Sequence, residues 1–480
     1  MSERSQRRPP ESIVCPVRAA ALKNPESVAI SSPGGRITFR ELDREVSALA
    51  RRIRGAGLRG GRVGMYLEKS AGQTALILAL VRSGSVAVPV STRTPPAEVP
   101  EMLLRAGCRT LVTDDPQVKE AATDSDFDLL GLAELSEETS GETAEDEPLI
   151  VLDSPATIVF TSGSTGLPKA ALHTFHNHHA SAVGSARNIP LVQGDVWLHS
   201  LPLFHVGGLS ILFRCALSGA TVALSGAGET VGESIRRSGA THVSLVATQL
   251  GRLLSEGVDL SGVRAILLGG SAIPESLLDR AHALELPVYT SYGLTEMASQ
   301  VTTTRPGASR SELHTSGRTL AHRELRVSGR GEILVRGATL FSGYVAGDGL
   351  DRPLDADGWF HTKDLGSLDT DGLLTVTRRL DNLFVSGGEN IQPEEVEVTL
   401  RRLHGVDEAV VVPVADREFG ERPVAFVKSE GELPDDLALR SKEKLPAFKV
   451  PVAFYEWPDD APQTMKIDRT FFERKAKLDD

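Results

Sequence analysis

The densest chemistry in the chain is the string Thr161-Ser162-Gly163-Ser164-Thr165-Gly166-Leu167-Pro168-Lys169, which follows a strand-like run at 158–160. Glycines let backbone amides approach an anion closely, hydroxyls donate further hydrogen bonds, and the lysine adds a point charge, so the string suits a phosphate cradle. The Gly-x4-Gly-Lys-Ser/Thr spacing of a P-loop is absent. A phosphate loop of another type and a flexible Gly/Ser turn both remain open on chemistry alone.

Further residue types with chemical potential lie downstream. His173, His176, His178 and His179 form a cluster, but no Cys or acidic partner stands at zinc-ligand spacing, and the segment is expected to open a helix directly after the loop. Arg214 interrupts an otherwise apolar helical run at 209–217, beside His205. A buried arginine is costly unless paired, so a protein or a substrate carboxylate should meet it; a structural ion pair or a snorkel at the helix edge is the alternative. Taken singly, Glu296 reads as a helix-start carboxylate, Asp364 as a turn residue and Lys466, in a tail with Lys475 and Lys477, as a solvated charge. The string Leu267-Leu268-Gly269-Gly270-Ser271 superficially resembles a carrier-protein phosphopantetheine site.

Alternating helices and strands must position these residues. Thr38 and Glu41 have capping-box spacing, and Leu42, Val46, Leu49, Ala50 and Ile53 then recur on one helical face. A strand at 63–67, a helix at 74–82 and a strand at 86–90 continue an α/β alternation. Short apolar runs at 156–160, 221–224, 242–246, 265–268 and 288–291 read as strands of buried sheets. Beyond about residue 320 the texture changes to short strands with Gly-Asp turns, and 381–480 alternates helix and strand again, the size of a separate small domain. The expected organisation is a large domain at 1–380 and a small one at 381–480.

Length and composition set the limits. A chain of 480 residues is too long for one compact core and suits two or three domains. Its net charge of −12 argues against a general nucleic-acid binder. Residues 121–148 hold ten Asp and Glu and no Lys or Arg, so the acidity is mostly one stretch, expected to be a solvated loop. The three cysteines, Cys15, Cys108 and Cys215, are scattered and suit a reducing compartment without a disulfide framework. No apolar h-region follows the N-terminus, and the greasiest run, 75–81, is far shorter than the roughly 20 residues a bilayer needs. The expected setting is cytoplasmic, without a membrane span.

The loop at 161–169 is very similar to the phosphate loop of the adenylate-forming superfamily, which includes acyl-CoA synthetases, luciferases and peptide-synthetase adenylation domains. The family's other motifs follow in order: Tyr292-Gly293-Leu294-Thr295-Glu296, then Gly358-Trp359-Phe360-His361-Thr362-Lys363-Asp364, then Arg379-Leu380-Asp381, then Ser386-Gly387-Gly388-Glu389-Asn390 and its continuation to Glu397, and finally Lys466 near the C-terminus. The resemblance covers nearly the whole chain and implies an α/β adenylate-forming fold, with a large multi-sheet N-terminal domain and a small mobile α+β C-terminal domain. It implies ATP and CoA as cosubstrates, with Mg2+ near Glu296. Thr161, Ser162, Gly163, Ser164, Thr165, Gly166 and Thr295 would meet phosphates, Gly269, Gly270 and Ser271 adenine, Tyr292 and Gly293 the base, and Asp364 the ribose with Arg379 adjacent. Lys169 and Lys466 would offset charge during adenylation, Asp381 would be the hinge, and Ser386, Gly387 and Gly388 would line the CoA channel.

Within the superfamily, Ser200-Leu201-Pro202-Leu203-Phe204-His205-Val206-Gly207-Gly208-Leu209, Thr248-Gln249-Leu250 and the run from Arg379 to Glu397 are similar to the 2-succinylbenzoate-CoA ligases of menaquinone synthesis. That implies an aromatic dicarboxylate as acyl substrate, met by His205 and Arg214; another aryl- or acyl-CoA ligase is the alternative. The expected partners are small molecules, without nucleic acid, and a homodimer or larger homo-oligomer is compatible. Three positions depart from the family's pattern: Arg378, Lys363 and Met465 stand where glycine is usual.

Overall fold

The computed structural model describes residues 11–123, 127–136, 148–161, 168–270, 273–347, 349–379, 383–429, 431, 433–461 and 469–476. Two large sheets face one another across a layer of helices. In the first, Arg62–Tyr66 lies parallel between Val86–Pro89 and Thr110–Thr113, and Val86–Pro89 pairs with Pro155–Thr161. In the second, Val196–His199, Thr221–Leu224, His242–Leu245, Ala265–Leu268 and Val288–Leu294 run parallel. Thr221–Leu224, His242–Leu245 and Ala265–Leu268 are buried throughout, which is why they read as short apolar runs without alternation.

The helices between the sheets show why the sequence folds this way. Phe39–Gly55 starts on the expected capping box: the Thr38 side chain accepts from the Glu41 amide at 3.2 Å, and the Glu41 carboxylate accepts from the Thr38 amide at 2.8 Å. Leu42, Val46, Leu49, Ala50 and Ile53 are all buried. Ala71–Ser83 is apolar on nearly every side because one core cluster joins it to both sheets, through Met65 and Ala87 on one and Val222 and Leu267 on the other. Arg82 does not end this helix; it is buried against Asp43 at 2.7 Å.

A four-stranded antiparallel sheet, Arg323–Val327, Glu332–Gly337, Phe360–Leu368 and Leu374–Arg379, follows. The C-terminal part is a separate sheet with its own core, built on the hairpin Glu408–Asp416 and Gly420–Lys428 with Phe384–Ser386, Glu389–Ile391 and Ala453–Glu456 around it. The three cysteines are free and buried. Among the described residues no helix is long and apolar enough to cross a membrane.

Two expectations need correction. The acidic stretch is not all loop: Asp128–Leu130 adds a parallel strand to Thr110–Thr113, and Leu132–Ser136 is a short helix with Leu135 in the core. Its few leucines are enough to anchor it. The histidine cluster does not directly open a helix either. A strand, Lys169–Thr174, comes first and holds His173; the helix Phe175–Ala186 then starts on a capping box of Thr174 and Asn177.

Candidate active site

The ends of several strands bring the motif residues together. Pro155–Thr161 and Lys169–Thr174 are antiparallel partners with Lys169 opposite Thr161, so the glycine-rich string joins two strands of one sheet. Ser162, Gly163, Ser164, Thr165 and Gly166 lie outside the described residues, as do Ser271, Asp381 and Lys466. The Lys169 ammonium stands 5.0 Å from the centre of the Tyr344 ring, and the Tyr344 hydroxyl donates to the Glu296 carboxylate at 2.5 Å. Lys169 and Glu296, far apart in sequence, thus share one tyrosine.

The turn carrying Glu296 is propped from behind by the histidines. His173 Nε2 lies 2.7 Å from the Thr295 carbonyl oxygen, which can only accept, so Nε2 carries the proton. His178 contacts Thr157 Oγ1 at 2.8 Å and stacks on Phe213 with ring centres 4.4 Å apart. Burial pushes His173 down to about 4, against the Thr295 hydrogen bond, and burial together with His173 holds His178 well below the usual histidine range. Both are neutral structural supports, and no group of three or more His, Cys, Asp or Glu among the described residues could hold a metal.

The second sheet brings the next set of motif residues together. Ala265–Leu268 and Val288–Leu294 are parallel neighbours, so Gly269 and Gly270 leave one strand end beside Ser291 and Tyr292 on the next. Gly293 is needed where it stands: a Cβ there would lie 2.3 Å from the Ser299 carbonyl oxygen across a bulged pairing. The Tyr292 hydroxyl donates to Asp364 at 2.6 Å, and Asp364 is buried opposite Arg379 in the antiparallel pair. Lys363 holds φ +63°, a left-handed conformation that accounts for the glycine usual at this point of the motif.

Arg214 is buried on the helix Val206–Ser218. It donates to Gln300 Oε1 at 2.6 Å, reaches Ser299 Oγ at 3.5 Å and stacks over Trp197 at 5.1 Å. Burial lowers it to about 10, and among the described residues no carboxylate pairs with it. The alternatives of an ion pair and of a snorkel at the helix edge are both set aside by this environment.

His205 sits at the start of the same helix, and its Nε2 meets Glu389 at 3.0 Å; Arg93 donates to the other Glu389 oxygen at 2.6 Å. The small domain is therefore docked by its Ser386 to Glu389 turn. Gly387 and Gly388 both have positive φ, and a Cβ on Gly388 would lie 2.6 Å from the Val246 side chain. Sequence reasoning named this turn but missed Glu389 as its anchor, and missed Arg93, Tyr344 and Gln300 altogether. No motif marks them, because each gains its place through a partner distant in sequence.

Comparison with known proteins agrees with this architecture. Residues 17–345 match the AMP-binding enzyme family, and residues 395–466 match the AMP-binding enzyme C-terminal domain. The 2-succinylbenzoate-CoA ligase of Bacillus licheniformis is 34% identical over 453 residues, covering 92% of this chain and 95% of that one. The o-succinylbenzoate CoA synthetase of Bacillus subtilis, as a double mutant bound with a product analogue, superposes with a TM-score of 0.90 at 32% identity, covering 97% of this chain and 99% of that one. The same enzyme in complex with its acyl-adenylate intermediate gives a TM-score of 0.74 at 32% identity, covering 96% and 98%. With both family regions in order and relatives matched along more than nine-tenths of its length, the chain belongs to the AMP-binding enzyme family.

Proposed function

We propose that this enzyme ligates 2-succinylbenzoate to CoA through an acyl-adenylate, consuming ATP and releasing AMP and pyrophosphate, in menaquinone biosynthesis. The observation that carries the choice of substrate is Arg214, a buried guanidinium with no acidic partner among the described residues. The substrate has two carboxylates. One reacts, and the other requires a cation, which Arg214 supplies.

In the first half-reaction a substrate carboxylate oxygen attacks the α-phosphorus of ATP, and the bond to pyrophosphate breaks. Lys169, Lys466 and the 161–166 loop offset the charge that spreads over the phosphate oxygens. Tyr292, Gly269, Gly270 and Ser271 hold the base, and Asp364 holds the ribose with Arg379 beside it. The Tyr292 to Asp364 hydrogen bond fixes these two groups before nucleotide arrives. A carboxylate such as Glu296 beside nucleotide phosphates would suit Mg2+, which takes one or two carboxylates and keeps several waters. Bound there, Mg2+ supplies charge neutralisation of the phosphates.

In the second half-reaction the CoA sulfur attacks the acyl carbonyl carbon, the bond to AMP breaks with AMP as the leaving group, and the thiol proton passes to solvent. We assign residues 381–480 as the mobile domain, turning about Asp381 so that Ser386, Gly387 and Gly388 line the thiol channel while Lys466 is withdrawn. The docked Glu389 turn and the higher TM-score against the product-analogue complex support the thioester-forming arrangement in this structure. A coupled assay with ATP, CoA and 2-succinylbenzoate tests the reading. The expected products are AMP, pyrophosphate and the thioester, with benzoate and fatty acids poor substitutes. ADP and phosphate, or a preference for benzoate, would overturn it.

A further inference from the structure

The Gln300 side chain makes three hydrogen bonds beside Arg214. It is 3% exposed on the strand Ser299–Thr303. Its Oε1 accepts from Arg214 at 2.6 Å and from Ser185 Oγ at 2.8 Å, while its Nε2 donates to Thr303 Oγ1 at 2.7 Å. The contact with Arg214, which can only donate, fixes which end of the amide is oxygen. Its backbone carbonyl accepts from Arg323 Nε at 2.5 Å. The two residues before it, Ala298 and Ser299, have φ of +52° and +122°, so the strand enters this position strained.

Arg323 is the second buried guanidinium here, satisfied by the carbonyls of Gln300, Ala321 and Ser181 and by Ser181 Oγ. Burial lowers it to about 9, and Arg214 contributes to the lowering. Two buried cations therefore sit together without a protein anion among the described residues, and Arg214 Nε has no hydrogen-bond partner among them. A glutamate at 300 would relieve that imbalance at the same size. A neutral amide holds the guanidinium in place and leaves its charge uncompensated.

We propose that Gln300 is a positioning and specificity-determining residue: its neutral oxygen orients Arg214 while reserving the positive charge for the non-reacting carboxylate of the acyl substrate. This rests on the functional reading above. In a glutamate variant the new carboxylate would occupy Arg214 and compete with the substrate anion. In a leucine variant the charge would remain but lose its support. The two changes should order differently in stability and in binding, which a merely structural glutamine would not do.

The test compares wild type, Gln300→Glu and Gln300→Leu by thermal midpoint without ligand, by KM and kcat for 2-succinylbenzoate, and by turnover of a 2-acylbenzoate lacking the terminal carboxylate. A hydrogen-bonded ion contact of this kind changes affinity by roughly tenfold or more. The expected result is a KM for 2-succinylbenzoate raised roughly tenfold or more in Gln300→Glu with kcat and the KM for ATP little changed. Its thermal midpoint should equal or exceed that of wild type, and its preference should shift toward the monocarboxylate. Gln300→Leu should show the smaller KM increase and the lower midpoint. An unchanged KM in Gln300→Glu, or equal losses for both acids with a falling midpoint, overturns the inference while the function stands. A wild-type enzyme that makes no thioester from 2-succinylbenzoate overturns the function, and this inference with it.

Discussion

The Glu389 carboxylate, at the tip of the small domain's first hairpin, meets His205 Nε2 at 3.0 Å, and Arg93 holds its second oxygen at 2.6 Å. Burial alone would raise this carboxyl, but the hydrogen bond from His205 and the charge of Arg93 hold it below the usual glutamate range. The contact joins parts of the chain 184 residues apart and ties the C-terminal domain to the N-terminal one in this orientation. Replacing Glu389 by Ala should therefore slow thioester formation from supplied acyl-AMP, roughly tenfold for a partly buried ionic contact, while pyrophosphate release from ATP and 2-succinylbenzoate is kept. Equal slowing of both half-reactions would show that Glu389 does not select an orientation.

The mirror-image variant is Lys466→Ala. If the lysine serves adenylation only, acyl-AMP formation falls by several orders of magnitude while supplied acyl-AMP is still converted to thioester. Rapid-quench measurement of AMP, acyl-AMP and thioester separates the two. A variant defective in both steps would contradict alternation of the domains.

Arg214→Ala removes the proposed carboxylate partner and also a buried cation, so its effects on activity and stability should part company. The KM for 2-succinylbenzoate should rise roughly tenfold or more, since hydrogen bonds to charged groups are worth about 1.5–3 kcal/mol. The KM for ATP should hold. An unchanged KM for the acid would remove Arg214 from the acyl site.

Much of this architecture is legible in the sequence where local physics decides it. Thr38 with Glu41 makes its own cap, and runs such as 265–268 read as buried strands and are so. Motif residues such as Tyr292 and Asp364 are legible by resemblance, yet their hydrogen bond is not, because a bulged strand pair and a third sheet must first bring them together. Tyr344, Arg93 and Gln300 carry no local signal. Each acts through a partner that only the tertiary fold supplies, and the opposing demands on Gln300, buried and yet neutral beside two arginines, emerge only when those arginines are located.

Lys363 provides a test of stability rather than activity. Its φ of +63° costs an ordinary L-residue about 1–2 kcal/mol, and its side chain is exposed. Lys363→Gly removes that strain but adds backbone entropy to the unfolded chain, about 0.5–1 kcal/mol, so a net gain of roughly 0.5–1 kcal/mol is expected. Lys363→Val, β-branched in the same conformation, should destabilise. Urea midpoints of the two variants should fall on opposite sides of wild type; a Val variant as stable as the Gly variant would mean that the left-handed conformation is not populated in solution.

Acid should weaken the support beneath Glu296. His173 is fully buried, and burial depresses it from 6.5 to about 4 against the opposing Thr295 hydrogen bond. The unfolded chain therefore takes up the proton first as pH falls, so the stability this neutral histidine contributes is complete above about pH 6.5 and is lost progressively toward pH 4. At pH 5 the loss amounts to roughly 2 kcal/mol. Carboxylates elsewhere also titrate in this window, so the comparison must be between wild type and His173→Gln, which retains a donor for the Thr295 carbonyl but cannot ionise. The stability gap between them at pH 8 should shift by roughly 2 kcal/mol in favour of the glutamine variant at pH 5. A gap independent of pH would mean that His173 is not held neutral, and the prop under the Thr295 to Glu296 turn would then have to be an imidazolium balanced by an anion.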